Sequence, residues 1–192
     1  MKFHLIIDHP IRNSFNYAIM HSFIDGLEAN QHEVDILDLQ EENFNPVMST
    51  KELQVYSQGG FIDPKVGEYQ LRLKNADHLV FFFPIWWMVM PARLKGWMDK
   101  VLLPGFAFST DTFPIPLLTH ISAATIFTTT AVTDEFHRKE FNNALEWVLC
   151  KGTLNFVGIK NVTWLNFGES GFTSREKHTA WLKYVKTCAT QL

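Results

Sequence analysis

Apolar positions in this chain fall into short continuous runs separated by stripes of helical spacing. The densest run, Leu79-Val80-Phe81-Phe82-Phe83, is too short for a membrane span and rich in strand formers. It predicts a strand buried on both faces, as in the middle of a parallel sheet. Pro84 has no N–H to give a ladder and ends it. Further strands are predicted at Lys2 to Asp8, Val34 to Leu39 and Ile121 to Thr128, and a fifth lies within Val157 to Phe167. Helical stripes alternate with them. Phe15, Ala18, Ile19, Phe23 and Leu27 follow Ser14, a suitable N-cap. Val66, Tyr69, Leu73 and Ala76 follow Asp63-Pro64, which reads as N-cap and first helical residue. Leu94, Trp97, Met98 and Val101 share one side, and Asp134 opens a helix running to Cys150. Thr173-x-x-Glu176 forms a capping box before Trp181, Leu182, Val185 and Cys188. Glu41 to Asp63 is irregular, with one helical turn near Leu53, and Leu103 to Thr119 is a proline-rich excursion. Parallel neighbours need crossover connections, so the alternation predicts an α/β fold. It is a doubly wound five-stranded parallel sheet with helices on both faces. No repeat, linker or low-complexity tract divides the chain, so residues 1–192 form one domain.

Composition narrows the function. Hydrophobic residues make up 46% and charged residues 19% of the chain, a globular balance, with 17 Phe and 6 Trp above ordinary usage. A formal net charge of −3 argues against nucleic acid as a partner. Cys150 and Cys188 form no CxxC pair and read as reduced, buried thiols of an intracellular protein. There is neither an 18-residue apolar stretch nor a signal-peptide pattern at the start, so a cytoplasmic location without membrane insertion is expected. The eight histidines include no HExxH and no close His/Cys cluster, which argues against a metal site. GxGxxG, GxxxxGK[ST] and GxSxG are absent, so neither a Rossmann dinucleotide site, a P-loop nor a nucleophile elbow is signalled.

Candidate chemistry sits in three loops at strand ends, where open α/β sheets bind ligands. His9 to Asn16 leads into a helix N-terminus, whose unpaired N–H groups and dipole favour an anion such as phosphate. Ser14 and Asn16 add neutral donors; the plainer reading makes Ser14 a cap and His9 a surface residue. Pro84-Ile85-Trp86-Trp87-Met88-Val89-Met90-Pro91 offers wide, flat, non-ionisable surface that suits a planar aromatic ligand, although packing alone could also employ it. Thr128 to Thr133 places a row of hydroxyls after a strand, able to meet a pyrimidine-like edge.

Together, His9-x4-Ser14-Phe15-Asn16-x-Ala18, Phe83-Pro84-x2-Trp87-x3-Pro91-x2-Leu94-Lys95-Gly96-Trp97-x3-Val101 and Gly105-Phe106-Ala107 resemble the NAD(P)H:quinone oxidoreductase family of flavodoxin-like flavoproteins. That family includes modulator of drug activity B and the quinone reductases partnering potassium-efflux systems. The likeness continues through Gly152-Thr-Leu-Asn-Phe-Val-Gly158 and the region from Gly168 to Arg175. By this resemblance, His9, Ser14, Phe15 and Asn16 hold the flavin phosphate. Pro84, Ile85, Trp86 and Trp87 line the isoalloxazine ring, and Thr129 and Thr130 meet its polar edge. Arg175 falls where FAD-binding members place an arginine on the ADP half, which favours FAD slightly over FMN. Phe106, Phe108 and Met88 wall the substrate pocket, NADH or NADPH is the co-substrate, and a homodimer is implied. The sequence departs from the family at Ala131-Val132, which replace two glycines, and at Phe108, where a tyrosine is common. Catalytic side chains stay unassigned, with His137 the nearest candidate.

The leading reading is a two-electron, ping-pong reductase of quinones or related acceptors. Its rivals are a regulatory flavoprotein docked on a membrane transporter, a flavodoxin-type electron carrier, and a structural role in which the tryptophan loop is only a dimer seam.

Overall fold

The computed structural model describes residues 1–192. Five parallel strands, β1 (Lys2–Ile7), β2 (Glu33–Asp38), β3 (His78–Pro84), β4 (Ala123–Thr129) and β5 (Asn161–Phe167), lie in the order β2-β1-β3-β4-β5. As the phenylalanine run predicts, β3 is central and every one of its residues is buried. The connections are α1 (Phe15–Ala29), α2 (Thr50–Tyr56), α3 (Pro64–Lys74), α4 (Ala92–Val101) and α5 (Asp134–Glu140), then a π-helix (Glu146–Asn155) and finally α6 (Arg175–Thr190). None is long and apolar enough to cross a membrane.

Alternation along β3 divides its side chains between two cores. Val80 and Phe82 join Phe23 of α1, Phe127 of β4 and Val185 of α6 on one face. Leu79, Phe81 and Phe83 join Tyr69 of α3, Trp97 of α4 and Leu149 of the π-helix on the other. Phe82 stacks on Phe127 with ring centroids 5.3 Å apart and meets Phe23 edge-on at 6.1 Å.

Local rules explain most element boundaries. Asp63 accepts from the Lys65 N–H at 3.0 Å, with Pro64 in the first turn. Other boundaries differ from expectation. Ser14 stands at the N-cap of α1 with extended backbone, but its side chain makes no capping bond. Thr133 rather than Asp134 caps α5, accepting from Phe136 at 3.0 Å, because a hydroxyl one residue earlier reaches the first turn's N–H. The helix expected to run to Cys150 stops at Glu140 and resumes as a π-helix, with Asn142 and Asn143 at positive φ between the two. At α6, Ser174 accepts from Lys177 at 3.3 Å, shifting the cap one residue past the expected box.

Three imidazoles are buried in the fold, those of His4, His78 and His137. His4 is fully buried on β1 with Nδ1 2.8 Å from Asp35, whose carboxyl also takes Arg72 and is held well below the usual carboxylate range, foremost by the His4 hydrogen bond. His78 lies 2.9 Å from the Thr125 hydroxyl and stacks on Phe3, and burial pushes its pKa down to about 4. The unfolded chain therefore takes up this proton first as pH falls below the ordinary histidine value of about 6.5. Stability is full above that pH and is lost on the way down to about 4. Desolvation also lowers the pKa of His9 and of His137, in the same sense. Urea unfolding at pH 7.5 and pH 5 should show a loss of roughly 2 kcal/mol from His78 alone. His78→Gln should flatten that dependence, and an unchanged slope in the variant would assign it elsewhere.

Candidate functional site

With every strand parallel, β1, β3, β4 and β5 deliver their C-terminal loops to one edge of the sheet. Between the ends of β3, β4 and β5 lies an open cleft of ≈ 250 Å³. Pro84, Ile85 and Trp86 form one side, Thr129, Thr130 and Ala131 the base, and Ser170, Gly171 and Phe172 the other side. Five residues singled out from the sequence thus share one cleft: Pro84, Ile85, Trp86, Thr129 and Thr130.

The β3 side is a two-residue hairpin. Trp86 N–H donates to the Val89 carbonyl at 3.0 Å and Val89 N–H returns to Trp86 at 3.2 Å. Trp87 and Met88 occupy the turn at φ 48° and 63°. Left-handed backbone costs a non-glycine residue about 1–2 kcal/mol, strain of the kind that gathers at ligand sites. The turn aims Trp87 outward, 94% exposed and outside the cleft, while Trp86 remains at its wall.

The base is laced by polar contacts. Ile85 N–H donates to the Thr129 carbonyl at 2.9 Å, and Ser170 N–H to that of Thr130 at 3.1 Å. The Thr130 hydroxyl and the Glu169 N–H both donate to the Val132 carbonyl at 2.9 Å. Neither Ala131 nor Val132 has positive φ, so Cβ atoms in place of two glycines fit the backbone here. Their N–H groups take no partner within the chain.

The β1 loop joins this base from behind. Asn16 is buried and its side-chain N–H₂ donates to the Thr129 hydroxyl at 3.0 Å. Asp8, also buried, accepts from the Leu94 N–H at 2.9 Å, which ties the loop to the start of α4; burial pushes its carboxyl pKa up. His9 Nδ1 lies 3.0 Å from the Ile11 N–H, and desolvation lowers its pKa. The first backbone bond of α1 runs from Ala18 to Ser14, leaving the N–H groups of Phe15, Asn16 and Tyr17 for another acceptor. Ser14 Oγ and Asn16 Oδ1 are buried without a hydrogen-bond partner. Buried polar atoms rarely go unpaired, and two beside a helix N-terminus fit a ligand carrying both acceptors and donors.

The remaining candidates are dispersed. Phe108 lines a separate groove of ≈ 190 Å³ beside α4, with Met90, Met98 and Phe156; its ring centroid is 5.3 Å from that of Phe156. Phe106 is half-buried beneath the Lys74 ammonium. Arg175 is exposed as the first residue of α6, three positions beyond Phe172. His137 is fully buried against Phe141 and Trp164, with neither ring nitrogen bonded. It lines neither the cleft nor the groove.

Ser170, Gly171, Phe172 and Phe156 carry no local sequence signal that marks them as site residues. The first three follow a strand end, and the rule that pointed to the other loops applies equally to β5.

A family model described as flavodoxin-like fold matches residues 1–188. An uncharacterized NAD(P)H oxidoreductase of Haemophilus influenzae is 34% identical over 169 residues, covering 86% of this chain and 83% of that protein. A human ribosyldihydronicotinamide dehydrogenase [quinone] is 30% identical over 180 residues, covering 81% and 76%. Among solved structures, an NAD(P)H:quinone oxidoreductase from Methanothermobacter marburgensis superposes with a TM-score of 0.90 at 26% identity, covering 99% and 98%.

Proposed function

Because the chain belongs to the flavodoxin-like fold family, whose model spans residues 1–188, we propose that it is a flavin-dependent NAD(P)H:quinone oxidoreductase. The carrying observation is the cleft itself, where an aromatic wall faces unpaired backbone N–H groups and adjoins a helix N-terminus with orphaned buried polar atoms. That combination fits a flavin: a flat ring with a polar edge, joined to a phosphate. When bound, the flavin carries hydride between nicotinamide and quinone.

The protein's own work is binding and orientation. Ser14 and the N–H groups opening α1 hold the phosphate, with the helix dipole favouring its charge. Pro84, Ile85 and Trp86 support the ring and keep water from one face. The Thr129 hydroxyl accepts from Asn16 and keeps its own proton to give, while that of Thr130 is already given to Val132. Thr129 O–H and the N–H groups of Ala131 and Val132 are therefore the donors for the pyrimidine edge. NAD(P)H and then the quinone occupy the open side of the cleft in turn. FAD is favoured over FMN because Arg175, exposed at the start of α6 three residues after Phe172 of the cleft wall, is a cation suited to a second phosphate. His137, enclosed by Phe141 and Trp164, takes no part in proton transfer.

A second copy of the chain completes the assembly. Trp87, Trp147, Phe156 and Phe113 are all exposed in the protomer, large apolar side chains of the kind a subunit seam covers. The dimer covers them and brings the groove of Phe108 and Phe156 towards the partner's cleft.

The purified protein should be yellow, release FAD as judged by mass, and oxidise NADH or NADPH with menadione. Absence of flavin absorbance after reconstitution would overturn the reading. Trp86→Ala should weaken flavin binding by roughly five- to tenfold, the loss of about 1 kcal/mol of stacking. Trp87→Ala should leave flavin in place and shift the sedimentation equilibrium towards monomer. Reversed phenotypes would exchange the roles of the two indoles.

A further inference from the structure

Beside β5, at the edge of the sheet, lies a second cavity of ≈ 280 Å³ that shares no residue with the flavin cleft. Arg138 of α5, Lys151 of the π-helix and Lys160 before β5 all line it, against a single carboxylate, Glu146. Convergence of three cations is unusual in a chain whose net charge is −3. Cys150 and Trp164 supply flat or weakly polar wall.

Arg138 is ion-paired through one edge only, which orients the rest of its guanidinium. Its Nε–H donates to Asp134 Oδ2 at 2.7 Å, while Asp134 Oδ1 accepts from the Asn166 side chain at 3.0 Å. The guanidinium carbon sits 4.5 Å over the Trp164 ring. Those contacts fix the plane through one edge and one face and leave the Nη edge for a planar acceptor. The Trp164 indole N–H is already given to Thr128 at 2.8 Å, so its ring is wall and not donor.

Lys160 has no carboxylate partner; its ammonium donates to the Asn155 carbonyl at 2.7 Å and keeps further donors. Lys151 is partly offset, 3.4 Å from Glu146 and over the Trp147 ring. Burial pushes the Cys150 thiol up to about 11, so it brings no negative charge to the cavity at neutral pH. The wall carrying Cys150 and Lys151 is a π-helix of ten residues, a conformation that is rare and usually confined to one turn, frequently at functional sites.

We propose that this cavity is a second ligand site, binding a small oxyanion of two or more negative charges, phosphate or polycarboxylate, between Arg138 and Lys160. The Lys160 ammonium without an acidic partner, the preoriented guanidinium and the widened helix all favour such a group, and none is used by the flavin cleft.

Isothermal titration of the flavin-loaded protein tests it, with inorganic phosphate and with citrate as separate probes and ionic strength held constant with chloride. At least one probe should bind saturably at one site per chain. Its affinity should fall roughly tenfold or more in Lys160→Gln and in Arg138→Gln, since each removes a charge-assisted contact. The stronger probe identifies the headgroup class. Lys160 is exposed and unneeded for the core, so its variant decides the matter even if Arg138→Gln misfolds. Failure of both probes to saturate, or an unchanged affinity in Lys160→Gln, overturns the site. Phosphate taken up by the loop before α1 in flavin-free protein would be indifferent to Lys160→Gln, so failure of this proposal and failure of the flavin reading give different results.

Discussion

Gly168→Ala should cost the protein both stability and flavin, although the added group is one methyl on a surface loop. A Cβ at Gly168 would stand 2.5 Å from the Asp134 nitrogen, 2.8 Å from the Val132 oxygen and 2.9 Å from the Thr133 carbonyl carbon. All three are backbone atoms, so no side-chain rotation relieves the contact. The β5 loop would have to separate from residues 131–134, straining the Glu169-to-Val132 and Ser170-to-Thr130 bonds that join two sides of the cleft. Forcing extra volume into a close-packed contact costs about 1–3 kcal/mol. Moving the N–H groups of Ala131 and Val132 by even a fraction of an ångström should weaken flavin binding by about tenfold or more, one lost hydrogen bond's worth. Gly171→Ala is the control: it lines the same cleft, but nothing lies within 4 Å of its added Cβ. That variant should unfold within about 0.5 kcal/mol of the parent. Equal urea midpoints for the two variants would show that the two loops are not packed as described.

Such a contact marks the limit of what the linear sequence reveals. The phenylalanine run of β3 was legible because a strand buried on both faces needs apolar residues at every position, whatever packs on it. Asp63-Pro64 was legible because capping is a local bond within one turn. The parallel sheet follows from the strand–helix alternation, and the loops after β1, β3 and β4 follow from that sheet as ligand candidates. The order β2-β1-β3-β4-β5, by contrast, is set by packing that no local pattern encodes. The two Trp residues illustrate where legibility ends: adjacent indoles look equivalent on paper, and only the left-handed pair at Trp87 and Met88 separates cleft wall from exposed surface. The break between α5 and the π-helix is similar, since the stretch around Phe141 to Asn143 carries no proline or glycine to announce it. His137, adjacent to the third loop in sequence, turns into the fold because α5 begins at once and lays that face on Trp164. The Asn16–Thr129 bond spans 113 positions, a pairing that no local pattern encodes.

That bond is also where function and stability should come apart most sharply. Asn16→Asp changes one N–H₂ to an oxygen without changing shape. The contact to Thr129 survives by reversal, the threonine hydroxyl donating where it had accepted. At the second residue of α1, whose first turn holds no acidic side chain, a negative charge is also favoured by the helix dipole by about 0.3–1 kcal/mol. Burial opposes that gain, so thermal stability should change little. Cofactor affinity should collapse. A carboxylate about 4–5 Å from a bound phosphate is repelled by roughly 3–4 kcal/mol at the effective dielectric of a protein surface, or two orders of magnitude and more in Kd. Asn16→Ala removes the bond without adding charge and should lose only about tenfold. Protonating the introduced carboxyl at low pH should restore part of the binding in Asn16→Asp and none in Asn16→Ala. Flavin retention on purification, followed by fluorescence titration at pH 7.5 and pH 5.5, distinguishes the three proteins. Parental affinity in Asn16→Asp at pH 7.5 would mean that no phosphate rests on the start of α1, and the flavin would have to be held from elsewhere in the fold.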